Sequence, residues 1–343
     1  IFLIIAVGIF YINSENWVPT NNEGVKSFMP NGFTGVMSAV AGVFFAYIGF
    51  DALSVLSEET KNPEKTLPKG MIISLVLSTA IYIVLTLVLT GIVDYRKFEG
   101  IGDPLSFIFA PQNANIPWME FVVSVTAIVA ITTVLLVFQM GQPRIWMSMS
   151  RDGLMPKKFA EIHPKYKTPS FATIITGVAV GLPILFTDKT FILDFTSIGT
   201  IFAFVLVNGG ILLMPQKEKL KGRFHLPYIN AKYIFPVLFI GGLVGFYFWQ
   251  PEFFHNLWNI TDEHEGEFRL SIIIFLIINL VLVVLSYLKN LSLIPLLGLT
   301  SCLYLLTGMT HNNWFWFGLW FIIGLGIYFF YGKKNSKLNP ENM

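Results

Sequence analysis

The chain has 343 residues, 54% of them hydrophobic and only 13% charged, with a mean hydropathy of +0.64. About a quarter of an ordinary soluble domain is charged, so this composition excludes a single water-soluble core and implies a polytopic membrane protein. A net charge of +2 gives no reason to expect a nucleic-acid partner, and one cysteine, Cys302 in an apolar run, excludes a disulfide framework or a cysteine metal site.

The opening residues 1–12, IFLIIAVGIFYI, are apolar but too few to span a bilayer, which takes about 20. They are expected to form the outer end of a helix whose beginning lies upstream, making the chain a C-terminal portion of a longer protein. Nine further spans are predicted near residues 33–57, 70–93, 119–140, 170–187, 191–214, 233–250, 270–288, 291–307 and 314–332. The 170–214 and 270–307 pairs read as tight helical hairpins. The five histidines fall in polar connecting segments, which leaves no intramembrane histidine cluster.

Basic residues orient these spans. Eighteen of the 23 Lys and Arg fall in 58–69, 141–169, 215–232, 289–290 and 333–343; the other five fall in 13–32, 94–118, 188–190 and 251–269. The positive-inside rule makes the first set, with the C-terminus, cytoplasmic. Five acids between Glu252 and Glu267 agree with an outer loop there. An even number of spans puts the upstream side of residue 1 in the cytoplasm as well.

The stretch GVFFAYIGFDALSVLSEETKNP, Gly42 to Pro63, departs from a plain span. A charge at a helix centre costs about 2.5–3.5 kcal/mol on insertion scales, so Asp51 needs an interior or watery site. Two readings stand for it: a functional carboxylate, or one satisfied by a neighbouring hydroxyl such as Ser54. Gly42 and Gly49 are close-packing positions between helices or mark an unwound centre at FAYIG. Unpaired backbone is tolerated at that depth only where it lines a cavity or a ligand. Broken helices supply carbonyls for an ammonium and amides for a carboxylate, and a zwitterionic amino acid needs both. On that reading Phe44 and Phe45 are aromatic lids.

GVFFAYIGFDALSVLSEETKNPEKTLPKG resembles the sixth span and following loop of the cationic amino acid transporter subfamily, within the amino acid–polyamine–organocation (APC) superfamily. GQPRIWMSMSRDGLMPKKFAEIHPKYKTP is similar to that family's loop after the eighth span, and SIGTIFAFVLVNGGILL to its tenth. LIPLLGLTSCLYLLTG and WFWFGLWFIIGLGIYFFYG resemble the last two spans of its fourteen-span members. The resemblance covers nearly the whole chain and is weakest over 250–269. It implies an all-α integral membrane protein with a LeuT-type inverted-repeat transporter fold, incomplete at its N-terminus. Ten spans are then present, counting the partial first, and the first four are absent. Residues 1–343 form one transporter domain, with 1–214 in the inverted-repeat core and 215–343 adding C-terminal spans.

The same resemblance implies site residues. The carbonyls of Phe45, Ala46, Tyr47 and Ile48 would receive the substrate ammonium, and Phe45 would shield the pocket from the outer side. Phe44, Gly49 and Asp51 would gate or couple, Asp51 by orienting the cytoplasmic half-helix or by protonation. The glycine-rich break that binds the substrate carboxylate would lie upstream of Ile1. Thr132 and Thr133 of the eighth span either ligate a sodium ion, as hydroxyls there do in sodium-coupled relatives, or bond back to an i−4 carbonyl. With Ile131 apolar and no acid facing the pocket from that span, the visible pocket favours a small or apolar neutral amino acid over Arg or Lys. Arg144, Arg151 and Asp152, with Glu58, Glu59 and Lys61, form an inner-gate network or simply orient and cap the loops; Pro63 and Pro68 shape the second of these loops. The Asn259-Ile-Thr261 triplet fits a glycosylation sequon and carries no weight alone.

Absent motifs narrow the function. There is no GxxxxGK[ST] loop for an ATP-driven pump. Asp51, Glu120 and Asp194 are the acids near span interiors, and the last two lie towards the outer face, so no catalytic pair for a membrane enzyme exists at one depth. The expectation is an amino acid permease of the plasma membrane working by alternating access with protons as coupling ion, without cofactor or resident metal. An exchanger, or a transporter-like sensor without net flux, is the alternative.

Overall fold

The computed structural model describes residues 1–20, 24, 26–50, 60–214, 227–249, 251, 254 and 263–337. Among these the regular structure is helical, with isolated bridges at Thr20–Lys26 and Asn230–Ser292. Among the described residues, six helices are long and apolar enough to cross a membrane: Pro63–Ile92, Pro117–Arg151, Thr190–Leu213, Ala231–Trp249, Arg269–Lys289 and His311–Asn335. Three shorter apolar helical stretches, Phe2–Tyr11, Ser170–Ile184 and Leu293–Thr307, fall on expected spans as well. Of the expected 33–57 span, the described residues run to 50; they form an α-helix over Gly32–Phe44 followed by a 3-10 turn over Phe45–Tyr47. The chain forms two compact units, one of residues 1–37, 49–183 and 329–343, the other of 38–48 and 184–328.

In the first unit, α1 (Phe2–Gly8) packs on α3 (Pro63–Ile92). Gly8 lets the two backbones meet, because a Cβ there would strike the Val88 side chain. Ile4, Leu85, Val93, Ile108, Phe109, Met119 and Val123 form the core of this end. The chain after α1 then grips the C-terminus of α3, whose last carbonyls have no helical donor. The Asn13 amide and the Asn16 side chain both donate to Gly91 O, at 2.9 and 2.8 Å, and Trp17 Nε1 donates to Leu87 O at 3.0 Å.

A 3-10 turn, Tyr95–Phe98, follows α3, with Asp94 accepting from the Arg96 amide at 2.9 Å and from its guanidinium at 3.0 and 2.8 Å. These bonds from Arg96 hold the Asp94 carboxyl below its ordinary value, against a smaller opposing effect of burial. The contribution of the pair is therefore present at neutral pH and is lost as the pH falls through that lowered value. Asp94→Asn should produce, at neutral pH, the loss of amide protection over Tyr95–Phe98, relative to intrinsic exchange rates, that acid produces in the unaltered protein. Identical exchange in the two proteins at neutral pH would show that the pair does not hold the turn.

The helix α4 (Pro117–Arg151) corrects the sequence reading, which ended this span near residue 140 and made 141–169 a loop. The backbone stays helical through Pro143, Arg144 and Ser150 and stops at Asp152. Hydropathy falls where the polar residues begin, but a helix continues past the hydrocarbon as long as its own hydrogen bonds are met. The loop expected over 58–69 is likewise shortened, since α3 begins at Pro63, where a missing N–H costs nothing. A 3-10 turn, Lys157–Ala160, folds back on α4. Phe159 stands between Trp146 and Phe171 at 5.3 and 5.1 Å, with Lys158 Nζ 4.8 Å from the Phe171 ring centre. The helix α5 (Ser170–Ile184) follows.

The second unit contains α6 (Lys189–Leu213), α7 (Ala231–Trp249), α8 (Glu263–Lys289), α9 (Leu293–Thr307) and α10 (His311–Ile327). Three-residue connections join α8 to α9 and α9 to α10; α8 packs on α9, and α10 packs on α6. Helix α9 is the hub, packed on α6, α7 and α8. Buried polar groups tie the helices together. Thr300 Oγ1 donates to Asn279 Oδ1 at 2.8 Å, joining α9 to α8, and Asn313 Nδ2 of α10 donates to Asp194 Oδ2 of α6 at 3.0 Å.

Candidate functional site

Helix α2 (Gly32–Phe44) ends abruptly. Phe45–Tyr47 form a 3-10 turn, closed by the Ile48 amide donating to Phe45 O at 3.1 Å. Ile48 is extended, at φ −62° and ψ 132°, and Gly49 has φ +121°. A helix needs φ near −63°, and only glycine takes the Gly49 conformation without strain. The helix therefore cannot run through the FAYIG stretch. An α-helix that stops leaves its last carbonyls without helical donors. The Phe45 carbonyl spends one lone pair on the turn and keeps the other as an acceptor. Ala46, Tyr47, Gly49 and Phe50 each have interaction partners within the protein.

The two phenylalanines at the break differ. Phe44 is half-buried, edge-on to Phe204 of α6 at 6.2 Å and 83°, and rests on the core of Ile198, Ile201, Leu306 and Phe317. It anchors the end of α2. Phe45, one residue on, is 37% exposed, Ala46 is exposed, and Tyr47 and Ile48 are half-buried. The accessible surface of the break is thus Phe45 and Ala46.

The chain passes from the second unit to the first between Ile48 and Gly49. Within the first unit, a Cβ at Gly49 would lie 3.9 Å from Cζ of Phe138 on α4. The same helix carries Ile131, Thr132 and Thr133, all exposed. Thr132 Oγ1 donates to Ile128 O at 2.8 Å and Thr133 Oγ1 to Val129 O at 2.9 Å. The hydroxyl protons are satisfied inside the helix, and the oxygens retain lone pairs as acceptors. Among the described residues, no group of three or more His, Cys, Asp or Glu could hold a metal ion. Asp51, Ser54, Glu58, Glu59 and the 259–261 triplet lie outside the described residues.

At the opposite end of α4, Arg144 is half-buried and Arg151 exposed, and both have partners. Asp152 caps the helix, its amide donating to Ser148 O and Ser150 O. Its carbonyl accepts the Lys337 amide at 3.1 Å, and a Cβ on Gly153 would collide with Asn335 O. The residues after the C-terminal π-helical turn Tyr328–Gly332 therefore sit directly on the Arg-Asp-Gly turn. Sequence reasoning singled out Arg151 and Asp152 but missed this contact, whose only local trace is a glycine after the helix. It also missed Asn313, the buried partner of Asp194, visible in the sequence only as an amide opening an aromatic run.

Residues 1–261 match the family model for amino acid permeases, and residues 291–336 match that for the amino acid permease C-terminus. The branched-chain amino acid permease BcaP of Bacillus subtilis is 33% identical over 99% of this chain and 58% of its own length. The methylthioribose transporter of the same organism is 32% identical over the same shares. Human cationic amino acid transporter 4 is 27% identical over 100% of this chain and 62% of its own. The chain thus spans about three-fifths of these relatives.

Proposed function

Because the chain belongs to the amino acid permease family, we propose that it moves a neutral amino acid across a membrane by alternating access, as a secondary transporter. The observation that carries this reading is the interruption of α2 at Phe45–Gly49. Irregular backbone in a membrane-spanning segment is tolerated where it lines a cavity or a ligand. The substrate ammonium lies against the carbonyls of Phe45, Ala46, Tyr47 and Ile48. Phe45 covers it from the outer side, and Phe44 holds the end of the helix against α6.

On the same reading the fold is of the LeuT type, with residues 1–214 in the inverted-repeat core, 215–343 outside it, and ten spans in all. The C-terminus is cytoplasmic and the membrane is the plasma membrane. Coupling is to protons, with Asp51 the first candidate to respond, and Arg144, Arg151, Asp152 and Glu59 form the inner network. The lack of an acid beside Ile131, Thr132 and Thr133 supports a small or branched neutral substrate, the class named by the branched-chain relative. A second reading has its own support. Near-equal identity to a methylthioribose transporter favours an uncharged thioether sugar, which needs no carboxylate site.

Uptake by the full-length protein in proteoliposomes tests both. Labelled alanine, leucine, arginine and methylthioribose are compared with and without an inward proton gradient, in sodium-free buffer. Gradient-driven uptake of alanine or leucine is expected. Uptake of arginine alone would place a charge partner elsewhere and end the neutral-substrate reading. Methylthioribose uptake alone would install the second reading, and saturable binding without flux would make the protein a sensor.

A further inference from the structure

A crevice of about 350 Å³ opens in the second unit between residues 270–278 of α8, the end of α9 and the start of α10. Its volume is within the range of small-molecule sites, roughly 300–1,000 Å³. The connection 308–310 keeps the end of α9 and the start of α10 together, and the crevice sets residues 270–278 of α8 beside them. The lining is ordered along the helix axes. Its hydrogen-bonding members, Ser271, Thr307, His311 and the indole of Trp314, lie within about one helical turn of the end where α9 stops and α10 starts. Away from that end the lining is apolar: Ile274 and Ile278, three and seven residues along α8, and Leu303, four residues back along α9. At 1.5 Å per residue, the apolar part runs about 10 Å inward from the polar rim.

That gradient is the polarity profile of a bilayer leaflet, interfacial at one end and hydrocarbon at the other. It is not the profile of a transported zwitterion, which would need polar partners at depth. Nor is it that of a peptide helix, which would need apolar surface along a full face. We infer that the crevice holds one acyl chain of a bilayer phospholipid, with its ester and head group at Ser271, Thr307 and His311. The Thr307 hydroxyl donates to Tyr304 O at 2.7 Å and so presents its oxygen as an acceptor. The imidazole of His311 supplies an N–H donor for an ester or phosphate oxygen. The back wall is firm, since Leu306 and Met309 are buried core residues and Phe275 stacks edge-on against Tyr304 at 5.8 Å. Just deeper, the Asn279–Thr300 bond closes the floor between α8 and α9.

The test is lipid retention by the full-length protein. Protein reconstituted with palmitoyl-oleoyl phosphatidylethanolamine and phosphatidylglycerol is extracted in mild detergent, washed, and read by native mass spectrometry. One phospholipid per protein is expected to survive washing that strips the surrounding lipid. Ile278→Trp, which fills the deep end, should lower the apparent affinity for that lipid roughly tenfold or more. His311→Ala removes the donor without touching the apolar wall and should weaken retention while leaving the protein monodisperse, which separates loss of the site from misfolding. Retention of free palmitate in place of phospholipid would overturn the assignment of the occupant. Equal retention by the parent protein and both variants, or none by the parent, would overturn the site.

Discussion

Replacing Phe45 with tryptophan is expected to reduce uptake to background while leaving membrane insertion and surface abundance unchanged. Phe45 stands at the start of the 3-10 turn, 37% exposed, with an extended residue and a positive-φ glycine close behind it. The larger ring has no buried volume to enter on its own helix and must project into the space beside the break. Transport needs that space empty in one state and filled by substrate in another. The neighbouring ring gives the contrast. Phe44 rests on Phe204 and the core below it, so Phe44→Ala should act first on stability. Its cost approaches the lower end of the 3–5 kcal/mol typical of a buried Phe→Ala change, because Phe44 is only half-buried. Uptake and thermal midpoint, measured on the two variants, separate the roles. Normal transport by Phe45→Trp would remove Phe45 from the site.

The second large effect is expected at Gly153. Its φ of +83° is strained for any residue with a Cβ, at about 1–2 kcal/mol. A Cβ would also collide with the carbonyl oxygen of Asn335, and would lie 2.9 Å from its carbon and 3.3 Å from Cα of Ser336. All three are backbone atoms that cannot swing aside as a side chain would. Gly153→Ala must therefore displace residues 333–337 from the Arg-Asp-Gly turn or rebuild the turn itself. Gly100 supplies the control, with a similar φ of +74° and nothing within 4 Å of its Cβ position. Gly100→Ala should show the backbone strain alone. Gly153→Ala should show that strain together with faster amide exchange at Lys337, whose N–H is bonded to Asp152 O. Equal thermal shifts in the two variants, with Lys337 unchanged, would mean that the C-terminal contact contributes nothing.

The family was legible in the sequence because its signals are local. An apolar run long enough to cross hydrocarbon is visible without its neighbours, which is why the six long apolar helices among the described residues fall on expected spans. The break was legible for a similar reason. A glycine after an aromatic run, with a carboxylate beyond it, is incompatible with a plain lipid-facing helix wherever it is packed. The same locality misled at the ends of spans. Hydropathy stops at Met140, but the hydrogen bonds of α4 run on to Arg151, because a helix is sustained by its backbone and not by its solvent.

From composition, periodicity and charge, the sequence by itself determined a helical membrane protein with basic residues concentrated in alternate connections. Its motifs carried the resemblance to amino acid transporters that the family match bears out. Only the tertiary structure decided which of two adjacent phenylalanines is packed and which is exposed. It alone paired Asp194 with Asn313, 119 positions away, and seated Lys337 on Asp152. Each of these depends on which surfaces meet once the helices pack. Such contacts are properties of pairs of segments far apart in the chain, and no window of one segment contains them.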